Sequence, residues 1–407
     1  MTAAQSAVLS LCARALFGAP LDLQGGLDFS EVLQTARVQA LTGVASEGLS
    51  DLPDEAVPAE VMREWQIETL AIIRKNAALL SAQSVLLAHC RALEVPAVIL
   101  KGFSAAAAYP TPDLRASGDV DILVPQKRLP ELCTLLESEG YERVEGLDEH
   151  HVAYAKDGVM LELHFKIPGM PEGPAGERLG AAFADLFERA ETAELEGERF
   201  PVPAPRHQAL ILLLHIAKHL LDGGVGLRQV LDLALFADRH REVFDGAFLA
   251  LLRECGLYRF AVALFAGCVQ YLHLPREAAP WCEGADPATV ETLFADFLTG
   301  ANFGRGKAVD YTGSGMAHKG RRRGEPVFFA ALRGVADMCR REWPASQKCG
   351  VLLCFLVPFW IIRRLLDRKQ PRVHPFRMLR SAGKRAAFYD TLAFFEPEKS
   401  DRDDKPS

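Results

Sequence analysis

Nine cysteines are spread through the 407 residues, yet no two stand in a CxxC pair or at metal-finger spacing. That excludes a zinc-finger framework. Cys12, Cys90, Cys133, Cys255 and Cys268 sit inside apolar helical patterns and read as buried, reduced thiols of a cytosolic protein. The segment HIAKH places His215 and His219 four residues apart, but the glutamate of an H-E-x-x-H zinc site is missing. No secretory signal is expected: the N-terminus lacks a basic leading region, and its Ala/Leu spacing suits an amphipathic helix. Residues 350–362, GVLLCFLVPFWII, carry no charge but fall short of the roughly 20 residues a membrane span requires. With Pro358 inside, they read as a buried helix. Arg363, Arg364, Arg368, Lys369 and Arg372 follow directly, which leaves a second reading of 350–372 as a helix lying weakly on a membrane surface. No internal repeat is visible.

Positive charge is also scarce overall. The net charge is −7, but residues 319–385 hold 17 Lys and Arg against 4 Asp and Glu, a local charge of +13. Residues 386–407 carry −3 and residues 1–318 carry −17. An acidic body with one basic section argues against a general nucleic-acid binder and gives the basic section an anionic partner, outside or within the chain. The run 319–323 lacks the interleaved aromatics that stack bases and reads as a solvated loop.

The chain is long enough for two or three domains with a substantial core. Periodicity divides it into a helical region 1–94, an α/β unit 95–204, a helical region 205–395 and a disordered tail 396–407. In the first, helices are expected over 3–17, over 29–48 with Asp28 or Ser30 as cap, and over 59–93. Met62, Trp65, Leu70, Ile73, Ala77, Leu80 and Leu87 form the inward stripe of the last. In the second, strands are expected over 97–100, 119–124, 141–144, 151–155 and 159–167, helices over 104–108, 129–139 and 179–189, and an edge strand over 193–205. In the third, helices over 206–221, 227–240, 245–255, 257–272, 289–299, 330–343 and 351–367 surround a Gly-rich loop over 302–323.

The stretch 95–124 organises the rest. In its last run, GDVDILV, Asp119, Asp121 and Leu123 alternate with Val120, Ile122 and Val124. Period two reads as a strand with one face buried, so the two aspartates point the same way. Side by side they repel each other unless a positive charge sits between them, and a hard divalent cation such as Mg²⁺ suits oxygen ligands. Residues 159–167 alternate as cleanly. Val159, Leu161, Leu163 and Phe165 share one face; Met160, Glu162, His164 and Lys166 share the other.

These pieces resemble the polymerase-beta nucleotidyltransferase superfamily and, within it, the bacterial "uncharacterised nucleotidyltransferase" family. The residues that carry the resemblance are Leu100-Lys101-Gly102, Tyr109-Pro110, Arg115, Gly118 through Val124, Gly140-Tyr141 and Glu162-Leu163-His164. It is close over about 95–167 and looser over 206–241. The resemblance implies an α+β fold: a polymerase-beta-type core, a small mixed sheet with helices, flanked by mostly α-helical N- and C-terminal regions. It implies that the Glu162 strand lies beside the Asp119/Asp121 strand, and that the three carboxylates hold one or two Mg²⁺ ions. Glu162 would also accept the proton of the attacking hydroxyl. The activity implied is Mg²⁺-dependent transfer of a nucleoside monophosphate from an NTP, ATP by default, to a hydroxyl or phosphate of a small-molecule, sugar or peptide acceptor, with pyrophosphate leaving.

Around the carboxylates, Gly102 and Gly118 let backbone approach the triphosphate, and Ser104 stands at an expected helix start that favours phosphate. Lys101 and Arg115 are candidates for the β- and γ-phosphates. The resemblance implies that the helix with His215 and His219 covers the cleft, with Arg228 and Asp232 on the next helix; these two histidines, Arg228 and His164 on the strand face of Glu162 are candidates to orient substrate. The superfamily usually follows the turn glycine with Ser or Gly, and here Phe103 follows Gly102. That departure motivates the alternative of a catalytically silent nucleotide-binding or scaffold protein of envelope-polysaccharide or natural-product assembly. The expected location is the cytoplasm, at the inner membrane if 350–372 makes the surface contact.

Overall fold

The computed structural model describes residues 1–23, 25–144, 150–222, 224–300, 325–343, 345–348, 350–366 and 375–397. The expected loop over 302–323 with its basic run, the cations at 368, 369 and 372, and the tail from 398 onward lie outside the described residues.

Helix α1 (Ala3–Phe17) opens with a capping box in which Thr2 accepts from the Gln5 amide and the Gln5 side chain accepts from the Thr2 amide. The helix expected over 29–48 is two helices, α2 (Phe29–Val38), capped by Asp28, and α3 (Thr42–Leu49). Neither Gly nor Pro breaks it. Buried Gln39 donates to the carbonyls of Phe297 and Leu298 at 3.0 and 3.1 Å and accepts from the Leu227 amide at 2.9 Å. Ala40 then turns the chain with φ +56°. Tertiary hydrogen bonds, invisible to local propensity, end the helix there.

Helix α4 (Ala59–Ala92) buries Trp65, Asn76, Leu79, Gln83, Leu86 and Cys90 at alternating three- and four-residue steps. Leu70 and Ala77, expected inside, face solvent, because the polar Asn76 and Gln83 hold inward positions.

The sheet contains β1 (Val98–Ile99), β2 (Val120–Leu123), β3 (Glu142–Val144), β4 (His151–Lys156) and β5 (Val159–His164) in the order β1-β2-β5-β4-β3. Only the β2/β5 pair is parallel. Between β1 and β2 lies α5 (Phe103–Ala106), and between β2 and β3 lies α6 (Leu129–Ser138). Val120, Ile122, Leu161 and Leu163 cover one face of the sheet and pack with Leu79 and Leu86 of α4 and Leu132 and Leu136 of α6. The opposite face is polar at Asp121, Glu162, His164 and His151, while Val98 and Leu123 on it join Leu186 and Ile211 in a small apolar cluster. β4 and β5 are joined by Asp157-Gly158, both at positive φ, the turn chemistry of a two-residue hairpin.

Two elements of this region differ from expectation. α7 spans Gly173–Ala182 rather than 179–189, and a proline in its first turn marks the earlier start. The edge strand expected over 193–205 is a separate hairpin, β6 (Glu191–Leu195) and β7 (Glu198–Val202), turned by Glu196-Gly197 at positive φ. Its Leu195 and Phe200 join the sheet's apolar core.

Helices α8 (Pro205–Asp222), α9 (Leu227–Arg239), α10 (Gly246–Glu254), α11 (Tyr258–Leu272) and α12 (Pro287–Gly300) share one apolar core with α1, α2 and α3. Beyond them come α13 (Val327–Glu342), α14 (Ala345–Lys348), α15 (Leu353–Leu366) and α16 (Pro375–Leu392). Arg385 of α16 pairs with Asp296 at 2.7 Å, and the Tyr389 hydroxyl donates to the Leu220 carbonyl at 2.5 Å. The run 350–362 is not buried. Val351, Phe355, Phe359 and Ile362 are 68, 72, 54 and 56 % exposed. Apolar side chains surround the short helix, and on the side toward α13 the Trp343 and Phe359 rings are 6.2 Å apart.

Candidate active site

The polar face of the sheet carries the acidic residues in register. Asp121 of β2 stands opposite Glu162 of β5, and Leu123 opposite His164. On the other side of β5, His151 of β4 stands opposite His164, and Ala153 opposite Glu162. Asp119 immediately precedes β2. One oxygen from each of Asp119, Asp121 and Glu162 lies within 4.8 Å of the others. Three carboxylates gathered this closely in a partly buried place fit a hard divalent cation.

Internal cations meet part of this charge. Lys101 Nζ lies 2.9 Å from Asp121 Oδ1, and His164 Nε2 lies 2.8 Å from the same oxygen and 3.1 Å from Glu162 Oε2. Burial raises the Asp121 carboxyl, but Lys101 and His164 outweigh it and hold the group well below the usual carboxylate range. Asp119 goes the other way: burial and the charge of Asp121 push it up to about 6. Burial lowers Lys101 and His164 in turn, and the carboxylates beside them more than compensate, so both are raised.

The loop that delivers Asp119 is fastened from three sides. Gly102, at φ +66° and ψ −109°, makes the tight turn after β1, a conformation closed to other residues. Buried Asn76 of α4 donates to the carbonyls of Asp113 and Arg115 at 2.8 and 2.9 Å and accepts from the Ser117 amide at 3.2 Å. Arg115 grips Asp232 of α9 through two bonds of 2.8 and 2.6 Å, and the Tyr109 hydroxyl donates to the same carboxylate at 2.8 Å. Arg228 of α9 donates to the Ala116 carbonyl at 2.6 Å.

Across the cleft stand His215, Lys218 and His219 of α8 and Arg228, Gln229 and Asp232 of α9. Spacings of three and four put each set on one helix face. The imidazoles of His215 and His219 meet edge to face, 4.3 Å between centroids. Burial, then the charge of Lys101, holds both below their ordinary range, His219 at about 3. Both are therefore neutral at ordinary pH. The Arg228 Nε is buried with no hydrogen-bond partner among the described residues.

The cleft thus brings together Lys101, Gly102, Arg115, Gly118, Asp119, Asp121, Glu162, His164, His215, His219 and Arg228. Ser104 is not among the residues that line it. Its hydroxyl instead accepts from Gln208 Nε2 at 3.1 Å, and α5 is only four residues long. The Arg115 side chain is committed to Asp232. Sequence reasoning did not assign His150, His151, Lys218 or Gln229, which also line the cleft, nor Asn76 behind it. A signal existed for His151: Asp157-Gly158 fixes the hairpin, and counting back along it sets His151 against His164. For Asn76, a polar residue at an inward position of α4 was the available clue.

The chain belongs to the uncharacterised nucleotidyltransferase family, whose model matches residues 25–273 and so takes in every cleft residue named above. No curated protein matches the chain. Among solved structures it is similar to the antibiotic-resistance factor ANT(2'')-Ia, with 14% identity and a TM-score of 0.30 over 47% of this chain and 98% of that one. It is also similar to an antigenic nucleotidyltransferase-like protein from Paracoccidioides brasiliensis, with 15% identity and a TM-score of 0.31 over 49% of this chain and 92% of that one.

Proposed function

We propose that this member of the family moves a nucleoside monophosphate from an NTP, ATP by default, to a hydroxyl or phosphate of a small-molecule, sugar or peptide acceptor. The observation that carries the reading is the meeting of Asp119, Asp121 and Glu162 on paired strands, opposite a helical wall that supplies cations. Asp119, Asp121 and Glu162 would hold Mg²⁺, which when bound neutralises charge on the transferring phosphoryl group. Lys101 supplies fixed positive charge at the floor of the site. Arg228 faces the carboxylates from the helices and suits the β- and γ-phosphate oxygens, and Lys218 lines the same cleft with its Nζ 3.2 Å from Asp222. The phosphate role expected of Arg115 passes to them, because Asp232 already occupies its guanidinium.

Glu162 is more open than Asp121, with a side chain 20% exposed against 2%, so an acceptor hydroxyl reaches it. The hydroxyl proton passes to Glu162 as its oxygen bonds to the α-phosphorus. The bond from that phosphorus to the bridging oxygen breaks, and pyrophosphate leaves with the electron pair. Neutral His215 and His219 orient the acceptor by hydrogen bonds rather than by charge.

The test is pyrophosphate release and Mg²⁺-dependent binding with each of the four NTPs, wild type beside the Asp119→Asn/Asp121→Asn double variant. Mg²⁺-dependent binding of one NTP, lost in the variant, supports the reading; no binding to folded protein refutes it. A second reading, a silent nucleotide-binding protein, is favoured by Lys101 and His164 sharing Asp121 Oδ1. It requires tight NTP binding with no pyrophosphate release toward any acceptor supplied.

A further inference from the structure

The carboxylates do not fill the polar face of the sheet. The paired registers lay out a small grid: Asp121 and Leu123 on β2, Glu162 and His164 on β5, Ala153 and His151 on β4. Glu162 lies at the centre of its row. On one side it meets the acids. On the other, small Ala153 stands opposite it, and the two histidines occupy the next row. His164 Nε2 is 3.1 Å from Glu162 Oε2 and His151 Nε2 is 3.8 Å from Glu162 Oε1. The His151 and His164 rings are 4.9 Å apart. One ligand atom from each of His151, Glu162 and His164 lies within 4.8 Å of the others. This group shares only Glu162 with the all-oxygen group.

The two groups differ in chemistry. Asp119, Asp121 and Glu162 offer oxygen alone, which suits Mg²⁺. Two imidazole nitrogens with one carboxylate suit Mn²⁺, Co²⁺ or Zn²⁺, and bind Mg²⁺ poorly. His164 is positioned for this role. It is 1% exposed, and its Nε2 lies 3.1 Å from Glu162 Oε2 and 2.8 Å from Asp121 Oδ1, so an ion there would take the place of the hydrogen that Nε2 now shares with these oxygens. The strand pairing fixes the backbone of both histidines, so the pair is preorganised rather than gathered from loops.

We propose that His151, Glu162 and His164 form a second metal position, selective for a nitrogen-preferring divalent ion, and that Glu162 bridges it to the Asp119/Asp121 position. The inference deepens the nucleotidyl-transfer reading and rests on it for the role of the first position only: with the second position loaded Glu162 is a ligand to both ions, and it takes the acceptor's proton only when that position is empty.

Co²⁺ is the probe. Calorimetric titration of the full chain with CoCl2, with no nucleotide added, compares wild type, His151→Asn and Asp119→Asn. We expect one tight Co²⁺ event in wild type, weakened at least tenfold by His151→Asn and changed by less than about threefold by Asp119→Asn. Equal Co²⁺ affinity in wild type and folded His151→Asn overturns the proposal, as does loss of the tight event in Asp119→Asn alone. A proton NMR spectrum of Co²⁺-loaded wild type does not depend on any variant folding. Two strongly shifted, exchangeable imidazole N–H signals support the site, and none overturns it. NTP binding plays no part in these readouts, so failure of the nucleotidyl-transfer reading leaves them interpretable.

Discussion

The two walls of the cleft are built by different geometry and carry opposite electrostatics. On the sheet wall, Asp121, Glu162, His164 and His151 are placed by strand register, and their side chains bond to one another. On the helix wall, His215, His219 and Arg228 are placed by helical periodicity, and burial keeps the two histidines uncharged. The sheet wall concentrates like charges at a cost and needs cations to offset it. The helix wall uses the buried ion pair of Asp232 with Arg115 to hold the loop before Asp119. The contrast separates residues whose loss stops chemistry from residues whose loss loosens the frame.

The largest expected effect is on the sheet wall. Asp121→Asn should lower pyrophosphate release about a thousandfold or more, equivalent to about 4 kcal/mol of transition-state stabilisation. The circular dichroism spectrum should remain that of wild type, because the amide keeps an oxygen that accepts from Lys101 and His164. Turnover within threefold of wild type would show that the sheet wall is not where the metal acts.

Asp232→Ala should do the reverse, acting on the frame first. It leaves the Arg115 guanidinium and the Tyr109 hydroxyl buried without their shared acceptor. Breaking one side of a buried pair costs about 3–5 kcal/mol. Urea unfolding would read this directly, and a loss under 1 kcal/mol would mean that water replaces Asp232 and the wall is wetter than its burial indicates. Asn76→Ala comes next, at about 1–3 kcal/mol for the unpaired groups it leaves behind. Because Asn76 holds the backbone at Asp113, Arg115 and Ser117, turnover should fall along with the unfolding midpoint. A variant that unfolds earlier yet turns over at the wild-type rate would show that the loop does not position Asp119.

Much of the sheet wall was legible because period-two alternation is a local signal. Asp119, Asp121 and Glu162 could be placed on polar faces from spacing, and family resemblance supplied the neighbour relation of their strands. What spacing cannot give is the partner across a fold. Nothing local tells that Arg115 meets Asp232, 117 residues away, or that Gln39 cuts a helix by bonding to Leu227. The C-terminal run 350–362 misled for a related reason: composition measures how apolar a segment is, not whether anything covers it. Phe355 and Phe359 stay exposed although the helix packs on α13. The hairpin β6/β7 was missed even though Glu196-Gly197 is a local turn signal, because the Pro-rich end of the segment suggested a single edge strand.

The smallest effect tests the helix wall alone. His219 ordinarily takes a proton near pH 6.5, but burial and then Lys101 hold it at about 3 in the folded chain. Between those values the unfolded chain binds the proton and the folded chain does not. The folded state therefore keeps its full stability from this group above pH 6.5 and loses it as pH falls, by at most about 1.4 kcal/mol per pH unit. His219→Gln removes that titration while keeping a polar side chain. The variant's unfolding free energy, measured by urea at pH 7.5, 6.0 and 5.0, should fall less steeply with acid than that of wild type, and the two slopes should converge above pH 6.5. Parallel slopes at all three values would mean that His219 titrates alike in both states. The helix wall would then gain positive charge in acid, and the division between a charged sheet wall and a neutral pair of histidines facing it would no longer hold.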